Sequence, residues 1–246
     1  MSERSSADPS EPGDARESVE VAAAYESGKV GFMGLELFAA PGALVPRKET
    51  EILARTAVER LAALASGLAR PLVVVDMCCG AGNLACALAV RFPDAQLFAS
   101  DLTDSCVTLT RRNVEKLGLS ARVQVRQGDL FQGLAGAGIE GAVDAVVCNP
   151  PYISHSRLEK RSDLAREPRE AFDGGPYGLS IHQRVMREAE PYLRPGGWLM
   201  FEFGLGQERQ LELLFQRARI YDSAELVRGQ DNEPRVAAAR RRQTSS

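Results

Sequence analysis

The chain has 246 residues, of which 44% are hydrophobic and 26% charged. That is enough apolar material for one sizeable core and too little length for two. Its 30 Lys and Arg stand against 33 Asp and Glu, a net charge of −3. This balance gives no strong footprint for nucleic acid, and nine Phe, five Tyr and one Trp do not make a stacking platform for single strands.

No run of roughly eighteen apolar residues is present, so no membrane span is expected. The opening segment has no apolar stretch after its Arg and does not read as a secretory signal. Five Cys without framework spacing suit a reducing compartment. The expectation is a cytoplasmic protein.

In chain order, residues 1–20 are rich in Ser, Pro, Asp, Glu and Gly and read as a disordered tail. Residues 21–48 form a short helix and hairpin segment, 49–240 the main domain, and 241–246 a basic tail. Helical periodicity predicts helices over Glu51–Leu68, Asn83–Arg91, Ser105–Leu117, Leu179–Leu193 and Gln207–Arg217. Between them lie apolar runs at Leu72–Asp76, Gln96–Ser100, Arg122–Val125, Asp144–Cys148 and Trp198–Phe203, the last after a Pro195-Gly196-Gly197 turn. Ala224–Val227 and Arg235–Ala238 flank Gly229–Asn232 and predict a closing hairpin. Buried strands alternating with helices predict an α/β fold, a Rossmann-like, seven-stranded and mostly parallel sheet.

A first site lies where the first strand of this sheet turns into a helix, at Asp76-Met77-Cys78-Cys79-Gly80-Ala81-Gly82. Glycines there let the backbone approach a ligand and turn sharply into the helix. Asp101, with Leu102 beside it, lies nineteen residues past Gly82 at the end of the second strand, where a carboxylate can accept from ribose hydroxyls. Gly128-Asp129-Leu130-Phe131 follows the third strand, placed to flank an adenine ring. The loop lacks the G-x-G-x-x-G spacing of dinucleotide sites and the lysine of a P-loop. An adenosyl ligand without pyrophosphate fits better, and S-adenosylmethionine is the simplest candidate. The glycines alone would also serve a plain tight connection.

A second site, Asn149-Pro150-Pro151-Tyr152, ends the fourth strand at the carboxyl edge, where open α/β sheets bind ligands. A planar amide nitrogen is a poor nucleophile because its lone pair is delocalised. The Asn149 side-chain oxygen and the Pro150 carbonyl can accept its two N–H bonds, orient it and favour the developing charge. Tyr152 offers a flat face to the planar group. Cys78, Cys79, Cys86 and Cys148 converge near the strand ends, but without C-x-x-C and with only two His they read as apolar fillers, and no metal is expected. His155 reads as a loop residue, His182 as a helix-surface residue, Thr50 as a helix N-cap, and Glu202 as support for the Asn149 loop. Arg47, Thr50 and Glu51 are candidates to line the substrate pocket; an ion pair at the helix entrance is the alternative for Arg47 and Glu51.

Taken together, these residues resemble the HemK/PrmC family of protein-(glutamine-N5) methyltransferases, within the class I S-adenosylmethionine-dependent fold. Phe32–Leu37 is similar to that family's hairpin, and Pro46-Arg47-Lys48-Glu49-Thr50-Glu51 to its P-R-x-x-T-E segment. Glu167–Leu179 resembles its E-P-x-x-A-L-x-G-G-x-x-G-L stretch, and the resemblance covers about residues 30 to 240. It implies methyl transfer to a glutamine amide of a peptide chain release factor or ribosomal protein. Cys78 to Gly82, Asp101, Leu130 and Asn149 fall on its cofactor-binding positions, and Asn149 to Tyr152 on its substrate-binding tetrapeptide. Three features depart from the family pattern. Cys78 replaces a usual Gly, as in the ribosomal-protein branch, and Tyr177 replaces a common Asp. Only 45 residues precede Pro46, where the family usually has a helical substrate-recognition domain. The last departure keeps a small-molecule amide or amine open as the alternative acceptor.

Overall fold

The computed structural model describes residues 14–159, 167–230 and 232–243. Helix α1 (Asp14–Ser27) leads into a hairpin of β1 (Lys29–Phe32) and β2 (Leu35–Phe38). Its two-residue turn places Met33 at φ 48° and Gly34 at φ 78°, the twist that a tight antiparallel hairpin needs. Then follow α2 (Thr50–Ala65), β3 (Val73–Met77), α3 (Asn83–Arg91), β4 (Gln96–Asp101), α4 (Asp104–Lys116) and β5 (Val123–Gln127). The second half comprises β6 (Val143–Cys148), α5 (His155–Leu158), α6 (Ser180–Glu188), β7 (Leu193–Glu202), α7 (Glu208–Ala218), β8 (Glu225–Arg228) and β9 (Pro234–Arg240).

The seven strands β3 to β9 form one sheet in the order β5-β4-β3-β6-β7-β9-β8. It is parallel from β5 to β7 and antiparallel at β9 and β8. The predicted seven-stranded α/β architecture and closing hairpin are thus present. Adjacent residues of β3 explain its apolar run. Val74 joins a core with Leu53, Leu61 and Leu88 of α2 and α3, whereas Val75 joins Val185, Leu211 and Phe215 of α6 and α7. A strand covered on both faces has no polar side to alternate with.

The structure departs from the predicted boundaries at both ends and in α6. Residues 1–13 of the expected tail lie outside the described residues, but 14–20 belong to α1. The helix is held because Val21 and Ala24 are buried with Ala39 and Val45, and Tyr25 donates from its hydroxyl to the Ala43 carbonyl at 2.9 Å. In the expected basic tail, Arg241 bridges to Tyr221 and the Arg242 amide donates to the Ile220 carbonyl at 2.8 Å; residues 244–246 lie outside the described residues. Helix α6 ends at Glu188, not Leu193. Pro191 disfavours helix at the residue before it, and Leu193 instead pairs with Val143 in the sheet. The predicted Pro195-Gly196-Gly197 turn becomes an irregularity inside β7, where the register shifts between Val143 and Ala145.

At the amino edge of the sheet, Asp144 is buried and gathers three elements. It accepts two bonds from Arg70 at 2.7 and 2.9 Å, one from Arg194 at 2.8 Å and one from the Val73 amide at 2.9 Å. Asp144→Ala leaves these donors unpaired and is expected to cost about 2 kcal/mol, read as a lower urea midpoint with unchanged slope.

Candidate active site

Strands β4 and β6 flank β3 on opposite sides, so the chain leaves the carboxyl ends of β3 and β6 in diverging directions and opens a crevice there. The loop after β3 is tightly wound. Cys78 has φ 59°, Gly80 φ 55° and Gly82 φ 75°. At Gly82 any Cβ would lie 2.6 Å from Thr110 Cγ2, so this position needs glycine for space as well as for backbone conformation. The Cys79 amide donates to the Ser100 carbonyl at 3.1 Å, which pins the loop to the end of β4.

Asp101 completes that clasp. Its Oδ2 accepts from the Gly80 amide at 2.9 Å and its Oδ1 from the Thr103 amide at 3.2 Å. The Thr103 hydroxyl also donates to Oδ1 at 3.5 Å, whereas Oδ2 keeps a further lone pair for a ligand hydroxyl. Asp76 does something different from the expected cofactor contact. It is buried behind the loop, does not line the crevice, and accepts from the Ala85 amide in the first turn of α3 at 2.9 Å. Burial pushes its carboxyl up to about 7, with the Ala85 bond opposing and the nearby Asp101 adding to the rise.

The crevice encloses about 330 Å³. Its walls include Cys78, Cys79, Gly80 and Ala81, then Asp101, Leu102, Gly128, Asp129 and Leu130, with Asn149, Pro151 and Thr50 on the far side. The expected cofactor residues other than Asp76 and Gly82 therefore share one cavity. The Asp129 carboxylate, however, is held by both terminal nitrogens of Arg184 at 3.0 and 3.1 Å, so it is paired and not a free acid. Walls that are largely apolar, with Asp101, Asp129, Glu170 and Asp173 as their acids and no lysine among them, suit a nucleoside without a pyrophosphate.

At the end of β6, Asn149 Nδ2 donates to Thr50 Oγ1 at 3.1 Å, which turns Oδ1 to the opposite side of the amide. Thr50 is therefore not the predicted N-cap; Glu49 holds that position, and Thr50 is buried in the site. Tyr152 also departs from expectation. Its ring packs on Gly204, where a Cβ would come within 3.0 Å of Cδ2, and its hydroxyl donates to Glu202 Oε1 at 3.4 Å. It braces the tetrapeptide and does not line the cavity.

The segment from Glu167 to Leu179 roofs this tetrapeptide. The Ile153 amide donates to the Phe172 carbonyl at 2.8 Å, and the Gly174 amide to the Ile153 carbonyl at 2.9 Å. Gly178 sits so close to the Tyr152 carbonyl that a Cβ would be 2.3 Å from it. Glu167 accepts from Arg47 at 2.5 Å and from the Val45 amide at 2.9 Å. Arg47 thus ties the N-terminal segment to the roof. Glu51 accepts from the Met33 amide at 2.9 Å and from Arg55 at 2.5 Å. Of the three expected substrate-pocket residues only Thr50 lines the cavity.

Glu202 supports the tetrapeptide from β7, as expected, and is fully buried. Burial pushes its carboxyl up to about 7; bonds from Thr50 and Tyr152 and the charge of Arg235 oppose the rise, while Glu49 adds to it. His182, expected on a helix surface, is buried beside it. Its Nε2 lies 2.9 Å from the Glu202 carbonyl and its ring meets Phe201 edge-on. Burial pushes its pKa down to about 4. The signal was in the sequence: His182, Val185, Met186 and Ala189 recur at helical spacing, which is the buried stripe of α6. His155 lies at the start of α5, 2.6 Å from Asp173. Cys79, Cys86 and Cys148 are buried with their thiols pushed up by burial, and Cys78 is half-buried at the cavity wall. Among the described residues no cluster of three or more His, Cys, Asp or Glu is arranged to hold a metal ion, and no helix is long and apolar enough to cross a membrane.

Sheet order and crevice define a class I methyltransferase fold. A solved structure of the 16S rRNA N2 G1207 methyltransferase of T. thermophilus, in complex with AdoMet and guanosine, superposes with a TM-score of 0.62 at 21% identity, covering 87% of this chain and 50% of that one. The family model described as methyltransferase small domain matches residues 55–167. The release factor glutamine methyltransferase of Moorella thermoacetica is 34% identical over 220 residues, covering 89% of this chain and 75% of the relative. The ribosomal protein uL3 glutamine methyltransferase of Bradyrhizobium diazoefficiens is 33% identical over 190 residues, 76% of this chain and 58% of that protein. The chain belongs to the release factor glutamine methyltransferase family.

The buried imidazole carries a pH signature. Its folded pKa lies below the unfolded value near 6.5, so its stabilising contribution is complete above that pH and is lost as pH falls from about 6.5 toward 4. Asp76 and Glu202, with raised pKa values, slope the opposite way in the same range, so a variant must isolate the effect. Relative to the wild type, His182→Gln is expected to be more stable at pH 5 than at pH 7.5 by about 2 kcal/mol, measured from paired urea denaturation curves.

Proposed function

We propose that this enzyme transfers a methyl group from S-adenosylmethionine to the side-chain amide of a glutamine in a protein of the translation machinery. The observation that carries the reading is the Asn149 amide, anchored by Thr50 so that its Oδ1 is left for the acceptor. Next to it in sequence stands the Pro150 carbonyl. Two acceptors on consecutive residues match the two N–H bonds of a primary amide. Names of relatives, release factor and ribosomal protein uL3 glutamine methyltransferases, support glutamine as the acceptor and favour a protein over a small-molecule substrate. This reading places the enzyme in the cytoplasm with its substrate, and takes residues 49–240 as the catalytic unit.

In this reading the cofactor supplies a methyl made electrophilic by the sulfonium sulfur. Asp101 holds the ribose hydroxyls, the main chain from Cys78 to Ala81 and at Asp129 and Leu130 packs the remainder of the nucleoside, and Leu102 covers the lip. Asn149 and Pro150 draw electron density toward the acceptor nitrogen through its two N–H bonds and hold it in line for attack. Pro151 limits the backbone motion of the loop, since its ring fixes φ.

Incubation with methyl-labelled cofactor and either purified release factors or uL3 is expected to label one glutamine, located by a methyl-sized mass shift in a tryptic peptide. Asn149→Ala should lower kcat by about 10²-fold or more while the melting midpoint stays near wild type. A wild-type enzyme that binds the cofactor yet labels neither substrate would overturn the assignment.

A further inference from the structure

We propose that Thr110 and Asn113 of α4 are positioning residues for the cofactor. They pin the glycine loop so that one main-chain donor, the Ala81 amide, is left for S-adenosylmethionine. This role rests on the cofactor and holds whichever acceptor is methylated. A buried backbone N–H or C=O almost always has a partner, and from Gly80 to Gly82 all but one of these groups do. The Gly80 amide donates to Asp101 Oδ2 at 2.9 Å. The Gly82 amide donates to the Cys79 carbonyl at 2.7 Å, and the Gly82 carbonyl accepts from the Cys86 amide at 2.8 Å. The other two carbonyls are held from α4: Thr110 Oγ1 donates to Gly80 and Asn113 Nδ2 to Ala81, both at 2.9 Å.

The Ala81 amide is the exception. Ala81 is buried and lines the crevice, yet its N–H has no hydrogen-bond partner among the described residues. Its direction is set by the bond next to it. The peptide joining Gly80 to Ala81 is trans, so its C=O and N–H point to opposite sides. With the Gly80 carbonyl drawn toward Thr110, the Ala81 N–H is turned away from α4. Thr110 is not part of the crevice wall, whereas Ala81 is. A buried donor left unpaired is costly, and the carboxylate, ribose and ring-nitrogen atoms of the cofactor are acceptors that can meet it.

The docking of α4 against the sheet does not by itself account for these side chains. Thr110 and Asn113 are fully buried and three residues apart, which puts them on one face of the helix. A threonine within a helix can return its hydroxyl to its own helix. Thr56 of α2, also buried, does so and donates to the Ile52 carbonyl at 2.8 Å. Thr110 instead gives its one hydrogen to Gly80, with the Cys79 thiol 3.5 Å away as its other polar contact. Its Cγ2 is also the atom that excludes a Cβ at Gly82. One side chain thus shapes the loop both by contact and by hydrogen bond.

Asn113 uses its whole carboxamide. Its Oδ1 accepts from the Phe38 amide at 2.6 Å, and Nδ2 donates to the Phe38 carbonyl at 3.1 Å as well as to Ala81. Both hydrogens of Nδ2 are therefore engaged, and a flipped amide would set donor against donor at Phe38. Phe38 ends β2, so the hairpin and the cofactor loop are joined through this one residue. Thr110 makes its hydrogen bonds to the loop alone, and its substitution therefore leaves the hairpin's bonds in place.

The test is calorimetric titration of the full chain with S-adenosylmethionine and with S-adenosylhomocysteine, no methyl acceptor being present. Thr110→Val keeps the shape and removes the hydroxyl; its Kd should rise on the order of 10-fold, and Thr110→Ser should recover most of the loss. Thr56→Val removes a buried hydroxyl from the other helix and should lower the melting midpoint while leaving Kd near wild type. That contrast separates positioning from a general loss of stability. In the ¹⁵N-labelled wild type, saturation with S-adenosylhomocysteine should shift the Ala81 amide resonance and slow its hydrogen exchange by about 10-fold or more. Should Thr110→Val fail to fold, this wild-type measurement carries the test. Wild-type Kd in Thr110→Val, no recovery in Thr110→Ser, an equal loss in Thr56→Val, or an Ala81 amide indifferent to the ligand overturns the proposal. Because no acceptor takes part, an enzyme that binds the cofactor but labels no glutamine overturns the preceding assignment and leaves this one standing.

Discussion

The site depends on how β3 is paired. It is hydrogen-bonded on one side to β4 and on the other to β6, and both neighbours run parallel to it. Chain connections from these strands lead to opposite halves of the sheet. The loops after β3 and β6 are therefore forced apart at their carboxyl ends, and a crevice opens with two rows of backbone already fixed by the ladder. Every group assigned a role is referred to that edge. Asp101 ends β4, Cys78 to Gly82 leave β3, Asn149 follows β6, and Glu202 closes β7.

A loop at a sheet edge is held only by what it touches, and here the bracing comes from segments distant in sequence. Thr50 approaches from the first turn of α2, Gly178 and Phe172 from the roof, and Glu202 from β7. Arg47 and Glu167 extend the brace by joining the N-terminal segment to the roof, 120 residues apart in the chain. An asparagine on an unbraced loop would lose much of its power to orient an acceptor amide, since effective concentration depends on geometry already settled before reaction. The acids and the imidazole behind the site share this logic. Asp76 and Glu202 are held where burial raises them, and His182 where burial keeps it neutral.

Much of the fold was legible because its signals are local. Val73–Met77 and Val143–Cys148 are apolar but for Asp76 and Asp144, a pattern that suits a sheet covered on both sides. The boundaries that shifted are those where competing partners decide. Leu193 reads as the end of a helix until Val143 is available to pair with it, and residues 14–20 read as a tail until Val21 and Ala24 find Ala39 and Val45. Proximity to a motif was a weaker guide to side-chain direction. Asp76 and Tyr152 lie within motifs yet turn away from the cavity, whereas Thr50 lies in a flanking motif and turns into it.

From the sequence by itself came the class of sheet, the glycine loop, the acid after the second strand and the tetrapeptide after the fourth. These follow from residue type and spacing, which survive without knowledge of neighbours. Only the tertiary structure decided what the polar side chains are for. Whether Thr50 caps a helix or grips Asn149, and whether His182 meets solvent or the Glu202 carbonyl, depends on which groups lie within about 3 Å once the sheet has closed. A hydrogen bond has a partner and a direction, and the chain acquires both only when segments far apart in sequence are brought together.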